Sequence, residues 1–221
     1  MILTITMNPA MDRVYAVDDF EVDQVFRAQD MTVSAGGKGI NVARVASILG
    51  EEVIASGVTG GNIGDFIDKE VSNAGVMSEF MTIKEETRIC INVMDAKNTT
   101  STEVLESGPV VSETEAEKFL DYYQQLLDKC EVVTTCGSLP DGLPVDFYRK
   151  LITIAKKKDK LIILDTSGDY FKEGIKEIPY MVKPNGEEIE AILGGKFTGT
   201  EDYCEALAEL RNRGIQLPVI S

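Results

Sequence analysis

The chain has 221 residues, 43% of them hydrophobic, enough to bury one sizeable core with at most a small appendage. Lys and Arg number 22 against 37 Asp and Glu, a net charge of −15, which argues against a basic nucleic-acid-binding face or an anionic-membrane surface. There is no histidine, so imidazole general bases, Ser-His triads and His-ligated metal sites are excluded together.

In chain order, residues 2–7 form a short β-rich run, and residues 13–34 carry β-like patches with no helical signal. Residues 39–49 have helical spacing at Val42, Val45, Ala46 and Leu49, and are followed by a strand pattern over 52–58 and a helix over 63–74. Residues 87–105 read as two strands around the polar turn DAKNTTS. A helix over 113–129 places Phe119, Leu120, Tyr123, Leu126 and Leu127 on one face. Then come a strand (131–136), a helix (145–158), a strand (160–165), a short strand (180–183), two helices (185–193 and 201–213) and the start of a strand at 218–221. Strands separated by helices of this length predict a doubly wound, mostly parallel α/β sheet flanked by helices. The two inserts are expected to form one small antiparallel sheet standing off it. The run ends at Ser221 with no covering crossover, so the sequence reads as C-terminally incomplete.

Cys90, Cys130, Cys136 and Cys204 form no C-x-x-C and fit neither a zinc site nor a disulfide framework, the pattern of a reduced, cytoplasmic chain with small buried thiols. The opening MILTITMNPAMD lacks a basic n-region and reads as a first strand, and no apolar run is long enough to span a membrane.

Ligands of parallel sheets bind outside the carboxyl ends of the strands, so the loops there draw attention. Asp12, after the first strand, either accepts hydrogen bonds from sugar hydroxyls or makes an ordinary turn. Gly36, Gly37, Lys38 and Gly39 open a helix whose bare backbone N–H groups suit an oxygen-rich ligand; this is neither a Walker A loop nor G-x-G-x-x-G. Gly60-Gly61-Asn62-Ile63-Gly64 has the wrong spacing for a dinucleotide site and reads as a strand–helix turn. Strand alternation puts Arg88, Cys90 and Asn92 on one face and Ile89, Ile91 and Val93 on the other. Arg88, with Arg27 from the other insert, is a candidate anion ligand or a solvated surface cation. Ser138, in GSLPDG, is either a sugar contact or part of a plain loop. Asn185 and Glu188 lie one turn apart at a helix start, where they either hold a hydrated Mg²⁺ beside Lys183 or form a capping box. Asp165-Thr166-Ser167-Gly168-Asp169 reads as a turn with an Asp N-cap.

In this order, T-x-x-x-N-P-A-x-D ending at Asp12, GGKGINVARV, ETR at 86–88, TEVLESGP, GSLPDGLP, LDTSG and KPNGEE resemble the ribokinase-like carbohydrate kinases of the phosphofructokinase B type. The match is closest to the branch holding tagatose-6-phosphate kinase and 1-phosphofructokinase. The resemblance implies a kinase core over 1–12, 35–86 and 106–221, and a β-sheet lid over 13–34 and 87–105 that pairs into a homodimer. It implies that Asp12 and Asn41 hold sugar hydroxyls, that Gly36, Gly37, Lys38 and Ser138 touch the sugar, and that Arg88 and Arg27 clasp its phosphate. Lys183, Asn185 and Glu188 are expected to face ATP and Mg²⁺. The implied reaction is ATP-dependent phosphorylation of a ketohexose phosphate to the bisphosphate, with ETRICI and TEVLESGP pointing to tagatose 6-phosphate before fructose 1-phosphate. The family's catalytic G-A-G-D loop is not in the sequence, which predicts little turnover by these residues alone. The alternatives are a ribose or nucleoside kinase of the same family, a non-catalytic sugar-phosphate-binding protein, and a nicotinamide-dependent dehydrogenase, which would need the missing dinucleotide fingerprint.

Overall fold

The alternating pattern builds a seven-stranded parallel sheet in a computed structural model describing residues 1–221. Its strands are β1 (Ile2–Thr6), β4 (Val53–Thr59), β5 (Met77–Thr82), β8 (Val132–Cys136), β9 (Leu161–Asp165), β10 (Met181–Val182) and β11 (Leu217–Pro218), in the order β11-β10-β9-β8-β1-β4-β5. All seven residues of β4 are buried, as expected of a parallel strand covered on both faces. The chain first extends the sheet from β1 through β4 to β5, then returns to the other side of β1 with β8. That reversal creates a crevice at the carboxyl ends of β1 and β8.

The helices are α1 (Lys38–Ile48), α2 (Gly61–Asn73), α3 (Glu113–Leu127), α4 (Phe147–Lys157), α5 (Gly168–Gly174), α6 (Gly186–Leu193) and α7 (Thr200–Asn212). One core joins Leu3, Ile5, Ile54 and Val133 to Phe119, Tyr123, Phe147, Tyr148, Leu151 and other apolar side chains of α3–α7. A smaller core on the opposite face joins Val53 and Ala55 to Ile40, Ala43, Ile67 and Val71 of α1 and α2.

A second sheet has the order β3-β2-β6-β7, from β2 (Ala10–Val17), β3 (Asp30–Gly36), β6 (Arg88–Asp95) and β7 (Thr100–Leu105). It is mixed rather than antiparallel: β2 and β6 run parallel at its centre, while β3 and β7 flank them antiparallel. The reason is that β6 arrives from the large sheet after α2 and β5 rather than by a hairpin from β3. The strands also extend past the inserts as read from sequence, because Ala10, Met11 and Asp12 pair with Gly36, Ala35 and Ser34. The buried Asp95 carboxylate accepts from Phe20 N at 2.7 Å and from Asn98 Nδ2 at 2.8 Å, tying the β6–β7 turn to the loop after β2. These hydrogen bonds, that of the Asn98 side chain foremost, hold its carboxyl down at about 2.

Two elements lack a clear sequence signal. The edge strand β5 (MSEFMT) has no β-branched run, and α5 (GDYFKEG) falls where the pattern reads as a turn. Asp165 is not an N-cap, since α5 starts from Ser167 without any side-chain cap.

Candidate active site

The last residues of three strands stand side by side, Thr6 against Cys136 and Cys136 against Asp165, and Lys183 follows β10 immediately beyond. Above this edge, the polar face of the small sheet roofs a cavity of about 340 Å³, the size of a small-molecule site. Asp12, Gly37, Lys38, Arg88 and Ser138 line it, together with Asn8, Arg13, Asn92 and Glu103, which the sequence did not single out.

Asp12 sits on β2 opposite Ser34, and its carboxylate lies so close over Gly36 that a Cβ on that glycine would overlap it. Burial pushes the Asp12 carboxyl above its ordinary value, although Arg88 and Arg44 pull the other way. Gly37, the N-cap of α1, has φ 127° and ψ 139°, a conformation essentially reserved for glycine, and a Cβ there would meet Thr6 Cγ2 at 2.7 Å. No side chain caps α1, and its first turn carries no acid. The free N–H groups of the first turn therefore remain available beside the cavity.

Arg88 Nη1 donates to Glu106 O at 2.9 Å and Nη2 to Asn8 O at 3.0 Å, while the buried Nε has no partner. Two backbone carbonyls thus orient the guanidinium on the cavity wall. Asn8 Nδ2 donates to Ser107 O at 2.9 Å and reaches Ser138 Oγ at 3.3 Å, so it braces two loops of the rim. Cys90 and Cys136 also line the cavity, but burial raises both thiols, Cys136 to about 11, which makes neither a thiolate nucleophile.

Lys38 Nζ lies 3.2 Å from Asp165 Oδ1, and Lys183 Nζ lies 3.7 Å from Asp165 Oδ2. Lys183 is thereby joined to the edge of the cavity though it does not line it. Asn185 and Glu188 form the capping box: Asn185 Oδ1 accepts from Glu188 N and Glu188 Oε2 accepts from Asn185 N, both at 2.8 Å. Asn185 Oδ1 keeps its second lone pair, and Glu188 Oε1 makes no hydrogen bond. The set fits a hydrated Mg²⁺ approached through water.

Two predicted residues stand elsewhere. Arg27 is exposed in the loop between β2 and β3 and does not reach the cavity, because no regular structure over 18–29 directs it there. Asn41 is exposed on the outer side of α1, with its Oδ1 accepting from Arg44 Nη1 at 3.0 Å, so it too lies off the cavity wall. The second glycine turn is closed from within: Glu86 Oε1 accepts from Ile63 N at 2.7 Å, and Thr87 Oγ1 accepts from Gly60 N at 2.8 Å.

A doubly wound sheet with a small second sheet over its switch point, cationic side chains and an uncapped helix start is the frame of a sugar kinase of the ribokinase-like class. The chain belongs to the pfkB family of carbohydrate kinases, whose model matches residues 2–221. Among solved structures, a Thermotoga maritima protein described as a possible 1-phosphofructokinase is 29% identical with a TM-score of 0.90; the match covers 100% of this chain and 71% of that one. Escherichia coli phosphofructokinase-2 in complex with substrates and products is 25% identical with a TM-score of 0.91, covering 100% of this chain and 72% of that one. The tetrameric inhibited form of the same E. coli enzyme matches at 25% identity and a TM-score of 0.90, with 100% and 73% covered.

Proposed function

We propose that the cavity binds a phosphorylated ketohexose for ATP-dependent transfer of a phosphoryl group to its primary hydroxyl, giving the bisphosphate and ADP. The carrying observation is the meeting of Arg88, Lys38 and the uncapped start of α1 with the Asp12 carboxylate around one cavity. The cations suit a phosphate already on the sugar, and Asp12 suits a hydroxyl. A ribose or nucleoside substrate would offer Arg88 no anion. Tagatose 6-phosphate is the substrate favoured by ETRICI and TEVLESGP, and fructose 1-phosphate is the competing one, favoured by the likeness to the Thermotoga protein.

On the nucleotide side, Lys183 supplies charge toward ATP phosphates, and Glu188 Oε1 is placed to hold the water shell of Mg²⁺. Magnesium bound with ATP would neutralise phosphate charge during transfer. No G-A-G-D stretch occurs in residues 1–221. Asp169 does not replace it, being exposed and bonded to Lys172 at 2.9 Å. These residues are therefore read as binding substrate without appreciable turnover.

The outer face of the small sheet carries Met11, Tyr15, Ile89, Val93 and Val104, none of them buried. This apolar face supports a homodimer through the lid. The four free cysteines support a reducing, cytoplasmic setting.

Calorimetric titration with tagatose 6-phosphate, fructose 1-phosphate, fructose 6-phosphate and fructose tests the reading. The phosphorylated sugars are expected to bind and fructose not to. Arg88→Ala is expected to weaken sugar-phosphate binding by about 2 kcal/mol, roughly thirtyfold, with ATP binding unchanged. Equal losses for both ligands would refute the assignment of Arg88.

A further inference from the structure

Asp165 ends β9 at the cavity edge, and both of its oxygens face a lysine. Lys38 comes from the start of α1 on the sugar side, and Lys183 comes from the end of β10 on the nucleotide side. The Asp165 side chain is 15% exposed, against 52% for Lys38 and 36% for Lys183. A well-seated carboxylate thus holds two freer ammonium groups. Its backbone is fixed as well: Asp165 O accepts from Gly137 N at 2.9 Å, and Lys183 N donates to Leu164 O at 3.2 Å. Lys183 Nζ has one other contact, Ser221 Oγ at 3.0 Å.

Resting on the functional reading above, we infer that Asp165 is a positioning residue that gathers Lys38 and Lys183 at the cavity edge and is displaced from them by the phosphate groups of a ligand. Without a shared counter-ion, two ammonium groups this near one another would repel and swing into solvent. With it, they stay within reach of the two substrates. The pairs are partly exposed, and such pairs are weakly held. A phosphate dianion carries more charge than a carboxylate and out-competes it for both lysines. The arrangement also screens the lysines, so that stray anions are bound less tightly than the bare charges would allow.

Calorimetry at low ionic strength with inorganic phosphate, metal-free ATP and fructose 6-phosphate tests this. Asp165→Asn keeps the shape and leaves the two lysines uncompensated. It is expected to bind inorganic phosphate and metal-free ATP about tenfold tighter than the parent, with the gain fading at high salt. A purely structural role would lower affinity instead. Unchanged or weaker phosphate binding by Asp165→Asn, beside a parent that binds fructose 6-phosphate, overturns this inference alone. A parent that binds no phosphorylated ligand overturns the functional reading and this inference with it. Lysine-¹⁵N spectra of the parent give a second readout independent of any variant. Phosphate is expected to shift two ammonium signals together, and signals that stay in place overturn the proposal.

Discussion

Two glycine turns launch helices, α1 after β3 and α2 after β4, and their amino ends are finished in opposite ways. At α2, the loop after β5 folds back so that Glu86 accepts from Ile63 N and Thr87 accepts from Gly60 N, and an acid of the chain itself occupies that helix start. At α1, Gly37 has no capping side chain, and Lys38, Arg88 and Asp12 surround the place where one would sit. Both sequences are glycine-rich and both follow strands whose last residues are buried. Glycine therefore supplies the close approach, but only the absence of an internal acid leaves a helix start open to an outside anion. The α3 and α6 starts obey the same rule as α2, each closed by its own capping box.

The sharpest way to break this contrast is Gly37→Ala. The substitution forces an unfavourable backbone conformation and pushes into Thr6, costing about 2–3 kcal/mol. The expected result is a melting midpoint lower by roughly 5–10 °C and loss of sugar-phosphate binding by titration. Intact binding would mean that the open helix start takes no part. Glu86→Gln probes the other turn. Weakening that internal cap is expected to cost about 1 kcal/mol, or roughly 2–4 °C in the melting midpoint, with sugar-phosphate affinity unchanged. A parallel loss of affinity would show that the two turns are not separate in function.

The smallest expected effect concerns Asp12. Its carboxyl is raised in the folded state, chiefly by burial, so the folded protein holds that proton more tightly than the unfolded chain. The charged form therefore costs stability at neutral pH, and the cost is relieved as pH falls through the raised value. Asp12→Asn is expected to melt about a degree above the parent at neutral pH, with the gap closing as pH falls through the carboxylate range. The same variant should bind sugar phosphate less tightly. A variant that melts lower at neutral pH and gains on acidification would reverse the sign and remove the argument.

The contrast was only half legible in the sequence. GGKG and GGNIG both miss the known glycine-motif spacings and differ in the lysine of the first, and the capping box at Asn185 and Glu188 follows from residue type and interval alone. The alternation of β-rich and helical runs likewise located β1, β4, β8 and β9 to within a residue or two, because their buried apolar residues are local signals. Glu86 as the cap of α2 was not legible, since the bond spans 23 residues. The same holds for Asp165, whose partner Lys38 is 127 positions away. The central parallel pair of the small sheet joins segments separated by two helices and three strands, and no periodicity encodes its direction. Arg27 stands off the cavity of its own chain for the opposite reason: charge type suggested a role, but nothing regular in its loop aims it there.

The parallel pairing of β2 with β6 bears on how the molecule can move. Ala10 lies opposite both Gly36 and Arg88, so the ladder that begins in the small sheet runs down into the very turn that opens α1. A hinge cannot fall between the roof and the sugar-side residues without breaking that ladder. Rocking of the small sheet would sweep Asp12, Gly36 and Arg88 along as one rigid jaw. Lys183 and Glu188, seated on the far side of β9, would stay behind as the anvil.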